Sequence, residues 1–312
     1  MRVVVALGGN ALVRRGQDAD AATQRANVAT AVTAIAELAH DHEVVVTHGN
    51  GPQVGLLALQ SEALHQVAPY PLDMLGAESE GLIGYLLEQQ LTNELTERHV
   101  VTLLTQVIVD ADDPAFAKPT KPIGPVYDQH TATRLAAERG WSIAPDGEHY
   151  RRVVASPEPR SIVELAALRL LVHFGVLVIC VGGGGIPVVV DEHHRLRGVE
   201  AVIDKDLSAA LLATQLDAET LLMLTDVPFA QADWRTPRAR PLTHVTAAEL
   251  RAISFAAGSM APKVEAACRF VEATHGTAAI GALRDATALL RGDRGTQVTA
   301  DGAGPPVHPA NS

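Results

Sequence analysis

Short, unbroken apolar runs alternate along this chain with longer segments in which apolar residues recur every three or four positions. The runs are VVVAL at residues 3–7, VVVT at 44–47, VVTLLTQVIV at 100–109, VLVICV at 176–181 and LLMLT at 221–225, with closing strands near 277–280 and 297–299. They are short and rich in β-branched residues, the composition of strands buried on both faces in a parallel sheet. Between them, helical spacing occupies residues 21–39, 54–64, 76–97, 162–174, a segment from Asp204, 247–253 and 262–273. The apolar positions of such segments form a stripe, as a helix covering a sheet requires. The pattern predicts an α/β protein. At 312 residues and 47% apolar composition it can bury a large core, as one unit or as two lobes sharing a sheet.

The alternation stops at Asp110. From there to Pro159 the chain holds seven prolines, many charges and one helical segment at 131–139. A structureless loop of that length does not suit a compact domain. Ile123, Val126, Tyr127, Trp141, Ile143, Tyr150, Val153 and Val154 give the stretch apolar surface to bury, which favours a small inserted subdomain at 111–158 over a disordered insert. Residues 187–190 and 195–199 read as a hairpin around Asp191, Glu192, His193 and His194. Adjacent turn residues point apart, so the two histidines read as a solvated tip rather than a metal site. The Gly/Pro tail at 301–312 reads as frayed, leaving 1–300 as the main domain.

Three of the runs end in glycine. RVVVALGGNAL at 2–12 and EVVVTHGNGPQVG at 43–55 break into Gly-Asn or Asn-Gly before a helical pattern, and VGGGGIP at 181–187 repeats the device. Open parallel sheets bind ligands at the carboxyl ends of their strands. Glycine lets the backbone approach a ligand, and the first N–H groups of the following helix suit a phosphate or acyl phosphate. Taken singly, each loop is weak evidence, since a glycine after a parallel strand is more often plain turn geometry. Neither GxxxxGK[ST] nor GxGxxG occurs, so phosphate chemistry here must draw its cations from elsewhere in the chain.

Three lysines are candidates. Lys205 and Lys263 open helical segments, where a cation opposes the helix macrodipole by ~0.3–1 kcal/mol and calls for an anion. The bland account makes Asp204 and Asp206 neutralise Lys205, and Glu265 neutralise Lys263, as surface pairs. The functional account puts a phosphoryl group there, with Asp206 orienting the lysines, since phosphoryl transfer needs alignment and charge stabilisation. The small-residue run Ala257, Gly258, Ser259, Met260 just before Lys263 has the character of a ligand-closing loop. Lys121 lies between Pro119 and Pro122, which hold its loop extended and stiff, and an ordinary solvated lysine is its other reading.

The net charge of −11 argues against nucleic acid or an anionic membrane surface as partner. No apolar run reaches the ~18 residues of a membrane span, and Met1 leads straight into a strand without a basic leader, so a cytoplasmic protein is expected. The two cysteines, Cys180 and Cys268, lack CxxC spacing and read as buried thiols.

The motifs VVALGGNAL, VVVTHGNGPQVG, GLIGY, LLTQVIVD, PTKPIGP, RRVVASPEP, CVGGGGIPVV, GVEAVIDKD, LLMLTDV and GSMAPKVEAA run in order over residues 2–281. Together they resemble the carbamate kinases of the amino-acid kinase superfamily. The resemblance implies a three-layer αβα sandwich with an open, mainly parallel sheet of about eight strands, a small protruding subdomain and a homodimer. It implies reversible phosphoryl transfer between ATP and carbamate, usually run to make ATP from carbamoyl phosphate and ADP, with Mg²⁺. It places Gly8, Gly9 and Asn10 at the transferred phosphoryl group and Gly49, Asn50 and Gly51 on the carbamate side. Lys205 and Lys263 would stabilise the phosphoryl group and Asp206 orient them. Gly182, Gly183, Gly184, Gly185, Thr225, Asp226 and Met260 fall on the nucleotide side, and no residue is assigned as a metal ligand. Many relatives carry a lysine where this chain has Ala6, and in carbamate kinases the subdomain lysine, here Lys121, supplies that charge.

The chain departs from the family pattern at Glu80, where glutamine is expected, and at Tyr150, Ala155 and Pro228, expected as tryptophan, proline and aspartate. Glu80 would bear on substrate preference if it faces the carbamate pocket, and Pro228 would bear on nucleotide affinity. Two alternatives stand beside carbamate kinase: another small acyl-phosphate or amino-acid kinase of this fold, and a nucleotide-binding sensor that has lost turnover.

Overall fold

The computed structural model describes residues 1–9, 12–13, 17, 20–63, 66–255 and 260–300. Asn10, the run 257–259 and the tail 301–312, all named above, lie outside the described residues. The chain forms β1 (Arg2–Leu7), α1 (Ala21–Asp41), β2 (Glu43–His48), α2 (Gly51–Ala63), α3 (Leu72–Glu94), β3 (Val100–Thr102) and β4 (Gln106–Val109). Next come β5 (Lys121–Tyr127), α4 (Gln129–Arg139), β6 (Ser142–Asp146), β7 (His149–Val154), β8 (Pro159–Ile162), α5 (Leu165–His173) and β9 (Leu177–Ile179). Then follow β10 (Ile186–Val190), β11 (Leu196–Gly198), α6 (Lys205–Gln215), β12 (Thr220–Thr225), β13 (Gln231–Ala232), β14 (Arg240–Pro241) and β15 (His244–Thr246). The last elements are α7 (Ala247–Arg251), α8 (Met260–Thr274), β16 (Thr277–Ala282), α9 (Ala286–Leu290) and β17 (Thr296–Thr299).

Eight strands form the main sheet in the order β15-β17-β16-β12-β1-β2-β9-β3, parallel except where β17 pairs antiparallel with β16. Successive side chains of a strand point to opposite faces, and the two cores divide accordingly. Val3, Val5, Leu7, Val44 and Val46 pack with buried residues of α1, α3 and α9 on one face. Val4, Ala6 and Val45 pack with α6 and α8 on the other, around Phe270, which is fully buried. A buried phenylalanine of this kind is worth roughly 3–5 kcal/mol against alanine. The result is the expected αβα sandwich with a mainly parallel sheet of eight strands.

The register sets the site. Leu7 pairs with both His48 and Leu224, so β1, β2 and β12 end in one row and their following loops emerge side by side.

The run 100–109, read as one strand, divides into β3 at an edge of the main sheet and β4 in a second sheet ordered β11-β10-β4-β8. The chain changes partner between them: Leu103 N donates to Ile179 O of β9, whereas Thr105 O accepts from Ile186 N of β10. Continuous apolarity marks burial and carries no sign of where a strand changes sheets.

Within 111–158, β5, β7 and β6 form an antiparallel sheet beside α4. Asp128 caps that helix through Thr131 N, and Gly140 ends it at φ 67°. Ile123 and Val154 pack against Val54, Ala58, Leu72 and Leu75 of α2 and α3. The backbones of α2 and β5 touch where a Cβ on Gly55 would lie 2.4 Å from Gly124 Cα.

The expected hairpin forms from β10 and β11, with His193 and His194 exposed at its tip. Cys180 and Cys268 are buried thiols. No helix among the described residues is long and apolar enough to cross a membrane.

Candidate active site

Asp204 organises the charged side of the site. It caps α6, its Oδ1 accepting from Asp206 N at 2.9 Å and Leu207 N at 3.4 Å. Its Oδ2 accepts from Lys121 Nζ at 2.5 Å, bringing the β5 lysine to the start of α6. Two residues later, Asp206 binds two lysines at once. Lys205 Nζ donates to both its oxygens at 2.9 Å, and Lys263 Nζ, from α8, donates to them at 3.0 and 2.9 Å. Three ammonium groups and two carboxylates thus share this corner, leaving one positive charge inside a chain of net charge −11.

Burial and pairing set the charge states. Burial alone would raise the Asp206 carboxyl, but Lys205 and Lys263 more than reverse this and hold it far below the usual range. Burial, then the neighbouring Lys205 charge, pushes Lys263 down to about 8. Lys205 moves the other way, because Asp206 and Asp204 together outweigh its burial. Asp206 is therefore a permanent anion that orients cations. Bound through both oxygens to lysine, it is unsuited to the role of a proton acceptor.

The three glycine loops converge on this corner. A Cβ on Gly49 would lie 3.0 Å from Gly9 N and 3.1 Å from Lys205 Cδ, so the first two loops meet at the lysine stem. Gly8 N donates to Leu224 O at 2.8 Å, and a Cβ on Gly8 would sit 3.7 Å from Thr225 Cα. Residues 182–184 form a 3-10 turn in which Gly183 and Gly184 have φ of 68° and 100°, followed by Gly185 at 84°. These left-handed conformations strain any residue with a Cβ. Gly183 abuts the Asn50 side chain, its Cβ position 2.1 Å from Nδ2, and Gly184 O accepts from Ser208 Oγ of α6 at 2.8 Å. The third loop is thus tied both to the second loop and to the helix that carries Lys205 and Asp206.

Of the residues named from sequence, Lys121, Lys205, Asp206, Lys263, Gly8, Gly9, Gly49, Asn50, Thr225 and Gly182–Gly185 are joined by this chain of contacts. Asp226 follows at the end of β12 and accepts from Thr225 Oγ1 at 3.1 Å. Gly51 begins α2 with open space where a Cβ would stand. Met260 packs partly buried against the larger core at the start of α8. The surface-pair account of Lys263 is overturned: the side chain is buried, and Glu265 pairs instead with Arg251 and Arg269. Residues two apart on a helix face different ways, so Glu265 does not face Lys263.

Several site residues were missed. Asp204, beyond neutralising Lys205, carries a cap signal as an aspartate ahead of a helical run. Ser79 and Ser208, which bind Asn50 and Gly184 O, carry no distinguishing spacing. Glu80, the departure from glutamine, lies fully buried against Gly182. Among the described residues no group of three or more His, Cys, Asp or Glu side chains is placed to hold a metal ion.

An αβα sandwich with glycine loops and paired lysines at its strand ends defines a class. The amino acid kinase family is matched over residues 1–280, and the chain belongs to that family. Carbamate kinases are among its relatives. That of Haemophilus influenzae is 52% identical over 300 residues, spanning 96% of this chain and 97% of the relative. That of Pyrococcus horikoshii is 48% identical over 311 residues, spanning 96% and 99%. Among solved structures, carbamate kinase from Giardia lamblia bound to AMP-PNP superposes with a TM-score of 0.88 at 41% identity, over 96% of this chain and 98% of that one. The resemblance seen in the motifs is borne out.

Proposed function

We propose that this protein is a carbamate kinase, transferring a phosphoryl group reversibly between ATP and carbamate and making ATP from carbamoyl phosphate and ADP. The observation that carries this reading is the anchoring of Lys205 and Lys263 on one buried carboxylate, Asp206, beside the three glycine loops. Phosphoryl transfer asks a protein mainly for alignment and for fixed positive charge where the equatorial oxygens gather charge. A carboxylate that grips both ammonium groups holds them in place before substrate arrives.

In this reading Gly8, Gly9 and Asn10 belong to the region of the transferred phosphoryl group, and Gly49, Asn50 and Gly51 hold carbamate. Gly182–Gly185, Thr225, Asp226 and Met260 hold the nucleotide. Ala6 leaves the first loop without a side-chain cation. Lys121, already at the start of α6 through Asp204, supplies it, and residues 111–158 act as a lid that carries this charge. Both oxygens of Asp206 are occupied by lysine, so the site suits a Mg²⁺ ion brought in on the nucleotide phosphates. That ion supplies further neutralisation of phosphate charge when bound. The working unit is a cytoplasmic homodimer.

The test is ATP formation from Mg-ADP and a panel of acyl phosphates. Carbamoyl phosphate should give the fastest rate and excess EDTA should abolish it. A higher rate with acetyl phosphate would move the protein to another acyl-phosphate kinase, and tight ADP binding without ATP formation would make it a sensor.

A further inference from the structure

The Glu80 side chain ties α3 to the third glycine loop at both ends. Its Oε1 accepts from Gly182 N at 2.8 Å and its Oε2 from Thr105 N at 3.3 Å. Thr105 in turn accepts from Ile186 N at 2.8 Å, just past the last glycine, so one carboxyl group reaches the loop's entrance directly and its exit through one residue. The neighbouring Ser79 accepts from Asn50 Nδ2 at 2.8 Å, and Asn50 abuts Gly183. Two consecutive residues of α3 therefore hold the second and third glycine loops against each other.

The packing around this grip is tight. A Cβ on Gly182 would lie 2.8 Å from Glu80 Cγ and 2.4 Å from His48 Nε2, so Glu80 and His48 fill the open side of that glycine. Both side chains are fully buried, and His48 Nε2 has no hydrogen-bond partner. The titratable groups facing Glu80 are His48 on β2, Cys180 after β9 and Glu164 ahead of α5. Burial holds His48 neutral, down to about 4, and raises the Cys180 thiol, so none of the three supplies a counter-charge.

We infer that Glu80 is a positioning residue for phosphate binding: it fixes the Gly182–Gly185 turn from outside the site, and its charge state sets how well that turn accepts phosphate. The inference rests on the kinase reading. Burial outweighs the two donated N–H groups and pushes the Glu80 carboxyl up to about 8. Near neutral pH it is an uncharged acid that shapes the loop. Above about pH 8 it becomes a buried anion bonded to the first N–H of a phosphate-binding turn, and it repels the nucleotide.

Glu80→Gln keeps the shape and the acceptor oxygen for Gly182 N, gives up only the longer acceptance from Thr105 N, and cannot ionise. ADP affinity, measured by calorimetry in wild type and variant, should agree near pH 7, and the ratio of their Kd values should reach about tenfold by pH 9.5 as a single buried charge comes to oppose phosphate. Lys263 also titrates in this window but is common to both proteins and cancels in the ratio. Melting temperature without ligand gives a second readout. The folded-state value of Glu80 lies above its ordinary 4.5, so wild type loses stability relative to the variant as pH rises from about 4.5 to about 8, and the gap is then level. Glu80→Ala, which removes the grip, should weaken ADP binding at every pH. A wild type that binds ADP with a pH-independent ratio, or Glu80→Ala binding ADP as wild type does, overturns the inference alone. A wild type that binds no ADP overturns the kinase reading and the inference with it.

Discussion

Lys263 and Asp206, 57 residues apart and on different helices, meet through both carboxylate oxygens at 3.0 and 2.9 Å, with each side chain only 4% exposed. A buried pair of this kind is weak evidence for stability, because desolvation offsets most of its attraction. Its value lies in fixing an ammonium group beside Lys205 where a phosphoryl group would pass.

The Lys263 ammonium is pushed down to about 8, so its charge is present below that pH and lost above it. Turnover should therefore fall as pH rises through about 8. Lys263→Ala should lower kcat by about 10²–10³, the scale of one lost preorganised donor, and lack that alkaline limb. Asp206 keeps Lys205, so the variant folds. A kcat profile from pH 6 to 10 for both proteins checks this, and an unchanged kcat in the variant would return Lys263 to a structural role.

Gly183 tests the convergence of the loops. Its φ of 68° and its 2.1 Å approach to Asn50 Nδ2 leave no room for a methyl group. Gly183→Ala should distort the turn at a cost of roughly 1–3 kcal/mol in local strain, raising KM for both ADP and carbamoyl phosphate because the second and third loops share this contact. A rise confined to ADP would show that the loops act independently.

How much of this was legible beforehand follows from the range of the interactions. Strand and helix order, and the glycine breaks at strand ends, are local patterns, and the runs at 3–7, 44–47 and 221–225 each became a strand of the main sheet. The division of 100–109 between two sheets depends on which strand each half pairs with, a choice made by distant residues. Lys121 was singled out by its stiff loop, but its partner is 83 positions away and no spacing points to it. Glu80 is legible from spacing. It stands at helical spacing from the buried Ile83, Leu87 and Leu91, so the stripe itself marks a carboxyl group facing the core. The pairing of Lys263 with Asp206 needed the sheet to bring α6 and α8 together, which only the fold supplies.

The claim that Lys121 completes the phosphoryl site is tested most directly by one paired measurement on Lys121→Ala: the rate of ATP formation from carbamoyl phosphate and the Kd for ADP. Asp204 still caps α6 through Asp206 N and Leu207 N in that variant, so the helix start is preserved. Turnover should drop by about 10²–10³ while the ADP Kd stays within a few fold, since the nucleotide loops are untouched. Near-normal turnover, or a large loss of ADP binding, would contradict it.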